Sequence, residues 1–302
     1  MINFRFHLVS LIAVFLALAL GIVMGSTVID QAIVDGLRAT LKRVEDRSDE
    51  TRAENEELTA RIERLEAHAR DLGPFSVDGR LSGVRTVVVA FRGLDEDAIT
   101  RLRTLMRDAD AIAPAIVWIE ERFALVESGE RDALRGVVGS VASTDLLRRT
   151  ALSALADRLA DSVRANAETG GTDETTGEGA DPAPEGPAGD ALVELVEAGF
   201  VSVDGVERDA LAAFPDGPTR VVLVAGPGSA FDGGDHVGDL AAAFVETATP
   251  TVACEIAASG AEASERGDSL GAVRDDEGLA ATVSTVDDLD LAEGAVAVVL
   301  AL

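Results

Sequence analysis

The sequence predicts an α/β protein in which an N-terminal transmembrane helix and a coiled-coil helix precede a three-layer domain with a mostly parallel sheet. Three observations lead to this fold class. The chain starts with a long apolar run, continues with a heptad pattern, and then alternates short apolar strands with helices. We therefore expect a transmembrane anchor at 1–29, a coiled-coil stalk at 30–74, and an α/β domain at 82–302 with a disordered acidic insertion at 166–189.

The apolar run from Leu8 to Ile29 has 22 residues without a charged side chain. About 20 apolar residues in a helix cross the hydrocarbon core of a bilayer. The alternative is a cleaved signal peptide, and Ala17-Leu18-Ala19 resembles a cleavage site. Because the apolar run continues well past that site, the sequence favours a retained anchor.

Small residues recur at every fourth position of this anchor. They are Ala13, Ala17, Gly21 and Gly25. This spacing places them on one helix face, where small side chains let two helices approach closely in lipid. The alternative explanation is that Ala and Gly are common in membrane helices. We interpret the four residues as a candidate helix-packing surface.

The orientation of the anchor is predicted from the short segment before it. We expect this segment in the cytoplasm and the stalk and α/β domain outside, which gives a single-pass protein of the cell membrane. The count of basic residues favours the opposite orientation, because four of them follow the anchor closely. They are Arg38, Lys42, Arg43 and Arg47.

A heptad pattern with unbroken four-three spacing follows the anchor. Its positions are Leu37, Leu41, Val44, Ser48, Thr51, Asn55, Leu58, Ile62, Leu65, Ala69 and Leu72. Asn55 falls at an a position, where asparagine favours a parallel two-stranded coil in one register. Arg61 can reach Glu66 of a partner helix, whereas Arg47 would face Arg52. We predict a parallel homodimer; the alternative is an amphipathic helix that packs on its own domain. Gly73-Pro74 is expected to end the stalk.

Beyond the stalk, apolar strands alternate with helices, which predicts a Rossmann-like domain with helices on both faces of a sheet. The predicted strands are Val84–Phe91, Ala115–Ile119, Thr219–Ala225 and Thr251–Ile256. The predicted helices are Asp95–Asp108, Asp132–Val138, one from Ser143 to about Arg164, one starting at Asp190, and Val237–Glu246. The segment Asn166–Gly189 has almost no apolar side chains, so we expect it to be disordered.

No residue pattern in the sequence indicates catalysis, and we predict that the protein is not an enzyme. Gly226-Pro227-Gly228 lies between a strand and a helix, where a phosphate-binding loop would lie, but Phe231 replaces the third glycine. A plain turn is the favoured interpretation. His236 with Asp235 or Asp239 is a weak acid–base candidate.

No cofactor is identifiable from the residues, and soft metal ligands are scarce. They are His7, His68, His236, Met1, Met24, Met106 and Cys254, no two of them at ligand spacing. Cys254 is expected to be a buried small apolar residue. The charge balance argues against a nucleic-acid partner, because 54 acidic residues outnumber 26 basic ones and no basic stripe is present. The sequence also argues against a pore built by this chain alone. One apolar helix has no polar lining, and the chain has no Tyr and one Trp for the aromatic girdles of a barrel.

Three stretches resemble the actinobacterial family named after mycobacterial copper transport protein B. They are FRFHLVSLIAVFLALALGIVMGS, LVAGPGS and VRDDEGLAATVSTVDDLDLAEGAVAVVLAL, the last of which includes Ser284-Thr285-Val286-Asp287. The resemblance implies a single-pass envelope protein with a role in copper efflux or copper homeostasis. The role in copper handling rests on this resemblance alone, because no residue pattern in the sequence indicates copper binding. It also implies a helix at Ala292–Leu302, although the valines there favour a strand. The alternative is a non-enzymatic dimeric scaffold that binds another envelope or cell-division protein.

Overall fold

A computed structural model describes residues 4–139, 143–168, 190–230, 233–258 and 266–302. Most of the predicted disordered insertion, residues 169–189, lies outside the described residues. By internal contacts the chain divides into two units, Met1–Leu65 and Glu66–Leu302. The second unit contains the α/β domain and is called the head below.

The first helix, α1, runs from Phe4 to Val77. Its segment Phe4–Gly25 has a mean hydropathy of 2.7 and is the one stretch, among the described residues, that is long and apolar enough to cross a membrane. The helix passes through Pro74, so the predicted end at Gly73-Pro74 lies one turn too early. Proline removes one backbone donor, but Val77 is fully buried in the head core, and this burial stabilises the additional turn.

The head is built on a six-stranded sheet with the order β3-β2-β1-β4-β5-β6. The strands are β1 (Arg85–Phe91), β2 (Ile112–Ile119), β3 (Val201–Asp204), β4 (Thr219–Ala225), β5 (Thr251–Glu255) and β6 (Ser284–Val286). All neighbouring pairs are parallel except β2 with β3, which is antiparallel. The predicted α/β class with a mostly parallel sheet is confirmed.

Helices cover both faces of this sheet, which is why β1 and β4 are buried along nearly their whole length. The helices of the head after α1 are α2 (Glu96–Asp108), α3 (Ser128–Val138), α4 (Thr144–Glu168), α5 (Ala191–Glu197), α6 (Gly233–Glu246), α7 (Gly271–Arg274), α8 (Glu277–Ala280) and α9 (Ala292–Ala301). α2 packs on α9, whereas α4 contacts α3, α5 and α6. The helix expected at the C-terminal end is confirmed as α9.

Side-chain caps explain where several helices begin. Asp95 accepts the backbone N–H groups of Asp97 and Ala98 at the start of α2, and Asp190 caps α5 in the same way. Inside the head, Phe123 and Phe200 meet edge to face with ring centroids 5.5 Å apart. The core is continuous from Val77 to the end of α9. The head is thus a packed body with its own hydrophobic core.

Candidate functional site

The predicted helix-packing residues all lie on the apolar part of α1 and are exposed. They are Ala13, Ala17, Gly21 and Gly25. A Cβ added at Gly21 or Gly25 would meet nothing within 4 Å. The surface is therefore open for a second helix, and its use for packing stays a prediction.

The predicted heptad residues lie on α1 as well, with their side chains exposed. The apolar ones are Leu37, Leu41, Val44, Leu58, Ile62, Leu65 and Leu72, each between 46% and 59% exposed, and Asn55 is exposed among them. Ala69, which also belongs to the heptad pattern, is half-buried. The coiled-coil pairing stays a prediction.

The crevice where a doubly wound fold usually binds its ligand lies between the carboxyl ends of β1 and β4. Here it is filled by backbone. Gly93, after β1, lies so close to Gly228 that an added Cβ would collide with the carbonyl oxygen of Gly228. The backbone N–H of Ala230 donates to the carbonyl of Arg92 at 2.7 Å. The interpretation of Gly226-Pro227-Gly228 as a plain turn agrees with this geometry.

A polar cluster missed by the sequence analysis lies beside that crevice. Arg92, directly after β1, donates to Glu120, directly after β2, at 3.2 Å, to Glu96 at 2.7 Å and to Ser202 at 3.2 Å. Its guanidinium lies 4.4 Å from the ring centroid of Trp118. Partial burial acts to lower the pKa of Arg92, but the hydrogen bonds and charges of Glu120 and Glu96 outweigh it and raise the pKa.

This cluster borders a cleft of about 500 Å³ with three arginines and two glutamates in its lining. Arg92 is already paired, and a second arginine, Arg122, lies over the ring of Phe200 and donates to the carbonyl of Ala198 at 2.7 Å. Because Ser202 of β3 accepts from Arg92 and donates to Glu120, the cluster joins the edge strand β3 to the residues that follow β1 and β2. The signal available in the sequence was a charged residue directly after each of two neighbouring strands.

The acidic residues after β6 are held by arginines. Arg266 binds Asp288 at 2.8 Å and Asp290 at 3.1 Å, and Arg274 binds Asp287. The pKa of Arg266 is raised, chiefly by its hydrogen bond to Asp290. Buried Glu255, at the end of β5, accepts the backbone N–H groups of Gly267 and Ser269. These carboxylates hold the residues from 266 to 274 against the end of β5 and the segment after β6, and each already has a partner.

The candidate copper ligands are dispersed over the described residues. Met106 is buried in the head core, and Met24 is exposed on the apolar segment of α1. Nδ1 of His236 lies 3.8 Å from Asp239, which also binds Arg149 at 3.2 Å. His7 and His68 are exposed on α1; Met1 and the side chain of Asp235 lie outside the described residues.

Cys254 is fully buried in β5, as predicted, and its thiol donates to the carbonyl of Leu223 at 3.4 Å. Burial raises the pKa of this thiol far above its ordinary range. A thiolate, which is the form that binds copper, is therefore strongly disfavoured here. In the part of the chain that the structure describes, no three His, Cys, Asp or Glu side chains form a group able to hold a metal ion.

A groove of about 550 Å³ lies on the head between the last turns of α1, α2 and the start of α9. Its floor is apolar, since Leu105, Ala295 and Val296 line it beside Gly73. Its charged lining residues are Glu66, Arg70, Arg101, Asp108 and Asp290. The groove offers an apolar floor between charges of both signs.

The complete chain, residues 1–302, matches the family model described as copper transport outer membrane protein, MctB. Proteins named copper transporter MctB from Mycobacterium bovis and Mycobacterium tuberculosis are 28% identical to it over 310 aligned residues. The alignment covers 100% of this chain and 92% of each relative. The chain belongs to this copper transport family, and the resemblance found in the sequence is confirmed.

Proposed function

We propose that this member of the copper transport family is a single-pass envelope protein with a role in copper efflux or copper homeostasis. The observation that carries the proposal is the family match over the whole chain. The apolar helix Phe4–Gly25 supports anchoring in a membrane. In this proposal the N-terminus is cytoplasmic, and the coiled-coil stalk and the head lie outside the cytoplasm.

We further propose that the head acts on copper through other envelope proteins. Two observations support this view. The crevice at the centre of the sheet is filled by the Gly93 and Gly228 loops, and Cys254 is fully buried, which raises the pKa of its thiol and disfavours the thiolate. The surfaces that remain open on the head, such as the groove beside Gly73, suit a protein segment better than a soft metal ion.

Gene deletion followed by growth in graded copper tests the role in copper handling. We expect reduced copper tolerance, restored by the full-length chain and equally by Cys254→Ala and His236→Ala variants, with zinc tolerance as the control. Unchanged copper tolerance in the deletion strain would contradict the role. Loss of rescue by Cys254→Ala, with normal protein levels, would contradict action without a cysteine ligand.

A reporter active only outside the cytoplasm, fused after Leu302, tests the orientation. We expect activity, and activity of a cytoplasm-only reporter at the same position would contradict the proposal. N-terminal sequencing of the mature protein tests retention of the anchor. A mature chain that begins downstream of Ala19 would show cleavage.

The second candidate function is a membrane-anchored scaffold that binds another envelope or cell-division protein. The groove between α1, α2 and α9 favours it, because its apolar floor and mixed charges are typical of a surface that accepts a protein segment. Copurification with the full-length chain separates the two candidates when it is combined with the deletion strain. Unchanged copper tolerance together with a cell-separation defect would support the scaffold.

A further inference from the structure

The part of α1 between residues 37 and 65 has an apolar stripe that is open to solvent. Its apolar side chains are Leu37, Leu41, Val44, Leu58, Ile62 and Leu65, each between 54% and 59% exposed. With the polar Ser48, Thr51 and Asn55 they form a continuous row at alternating spacings of four and three residues. We call this row the stalk seam. A helix gains little stability in water from an uncovered apolar stripe, so the seam needs a partner.

The width of the seam indicates what kind of partner covers it. A helix that packs on a globular domain has apolar residues at three or four positions of each heptad, whereas a coiled coil has two. Every position that flanks the seam is polar here. These flanking residues are Arg38, Thr40, Glu45, Arg47, Arg52, Glu54, Thr59, Arg61 and Glu66. The stalk seam is therefore as narrow as the apolar seam of a coiled-coil helix, and it is suited to pairing with another helix of the same kind.

We propose that the stalk seam is covered by the stalk seam of a second copy of this chain, parallel and in register. The parallel direction rests on the membrane anchoring proposed above, because two chains anchored in one membrane through Phe4–Gly25 run the same way. The register follows from Asn55, which in a parallel pair meets its own counterpart only when the chains are aligned.

In this register, one pair of flanking charges across the two helices is attractive and another pair is repulsive. Arg61 lies opposite Glu66 of the second copy, which is favourable, whereas Arg47 lies opposite Arg52. The repulsive pair of arginines lies beside the polar stretch of the seam from Ser48 to Asn55. The two apolar ends of the seam, Leu37–Val44 and Leu58–Leu65, thus contribute most of the pairing energy, and the polar middle pairs more weakly.

Cysteine crosslinking of the full-length chain in membranes tests the proposal. In a Cys254→Ala background, Leu37→Cys and Leu65→Cys place a thiol at either end of the seam. Ala39→Cys and Ala60→Cys place it on the opposite helix face as matched controls. With a short bismaleimide we expect each seam variant to form a homodimer at least ten times more efficiently than its control.

Several outcomes would overturn the proposal. These are equal yields at seam and control positions, adducts with a different protein, or no crosslinks although a monofunctional maleimide labels the thiols. Crosslinks that appear only between Leu37→Cys and Leu65→Cys chains would show an antiparallel pair. None of these readouts involves copper, so failure of the pairing and failure of the copper role remain distinguishable. Leu58→Cys repeats the measurement in case either end variant is poorly expressed.

Discussion

The stalk segment and the head use apolar residues in opposite ways. On α1, Leu58 is 54% exposed, whereas Leu102 of α2 is completely buried. Both are leucines at helical apolar positions, and only the second has neighbours on every side. The comparison shows that the head is stable through its own core, while the stalk helix has an apolar stripe that its own unit leaves uncovered.

The largest difference is expected between two leucine truncations. Leu102→Ala removes buried side-chain volume and should lower the free energy of unfolding of the head by about 2–5 kcal/mol. Leu58→Ala should leave it unchanged. Urea unfolding of the full-length chain in detergent, followed by the fluorescence of the single Trp118, measures both. Equal losses in the two variants would contradict the contrast between the units.

A backbone contact inside the head gives the next largest effect. Gly93 has a φ of +93° and faces the carbonyl of Gly228, so Gly93→Ala should cost about 2–4 kcal/mol from strain and collision together. Gly79, with a φ of +68° and open space around it, is the matched control. We expect Gly79→Ala to cost only about 1 kcal/mol. Equal losses of unfolding free energy in the two variants would show that Gly93 is not in close contact with the loop that contains Gly228.

Cys254 makes the stability of the head depend on pH. Because burial raises the pKa of its thiol, the unfolded chain loses this proton first as the pH rises. The stabilisation is complete below the unfolded pKa of about 8.5 and decreases above it, by about 2 kcal/mol at pH 10. Cys254→Ala should remove this part of the alkaline slope. Parallel slopes for the two proteins between pH 8 and 10 would contradict full burial.

The smallest effect is expected at the stalk. Arg61→Glu replaces two attractive Arg61–Glu66 pairs of the proposed symmetric dimer by two repulsive ones and should weaken it about five- to tenfold, since each exposed pair contributes about 0.5 kcal/mol. Arg64→Glu changes the same charge away from the seam and is the control. Concentration-dependent association in detergent measures both. A stronger dimer for Arg61→Glu would exclude the proposed register.

The four longer parallel strands were predictable because their apolar runs are continuous, and both faces of such strands are buried. β3 and β6 were missed, since they have four and three residues and are partly exposed. The Arg92 cluster was missed for a different reason. Arg92 and Ser202 are 110 positions apart in the sequence, and only the pairing of β2 with β3 brings them together.

The close backbone contact between the loops after β1 and β4 has a consequence for the evolution of the head. Proteins with this architecture commonly acquire new small-molecule specificities by replacing residues around the central crevice. Here a side chain at position 93 has no room until the opposing loop withdraws. Enlarging the residue at position 93 therefore requires a compensating change in the loop after β4, so single substitutions at this position cannot open the crevice.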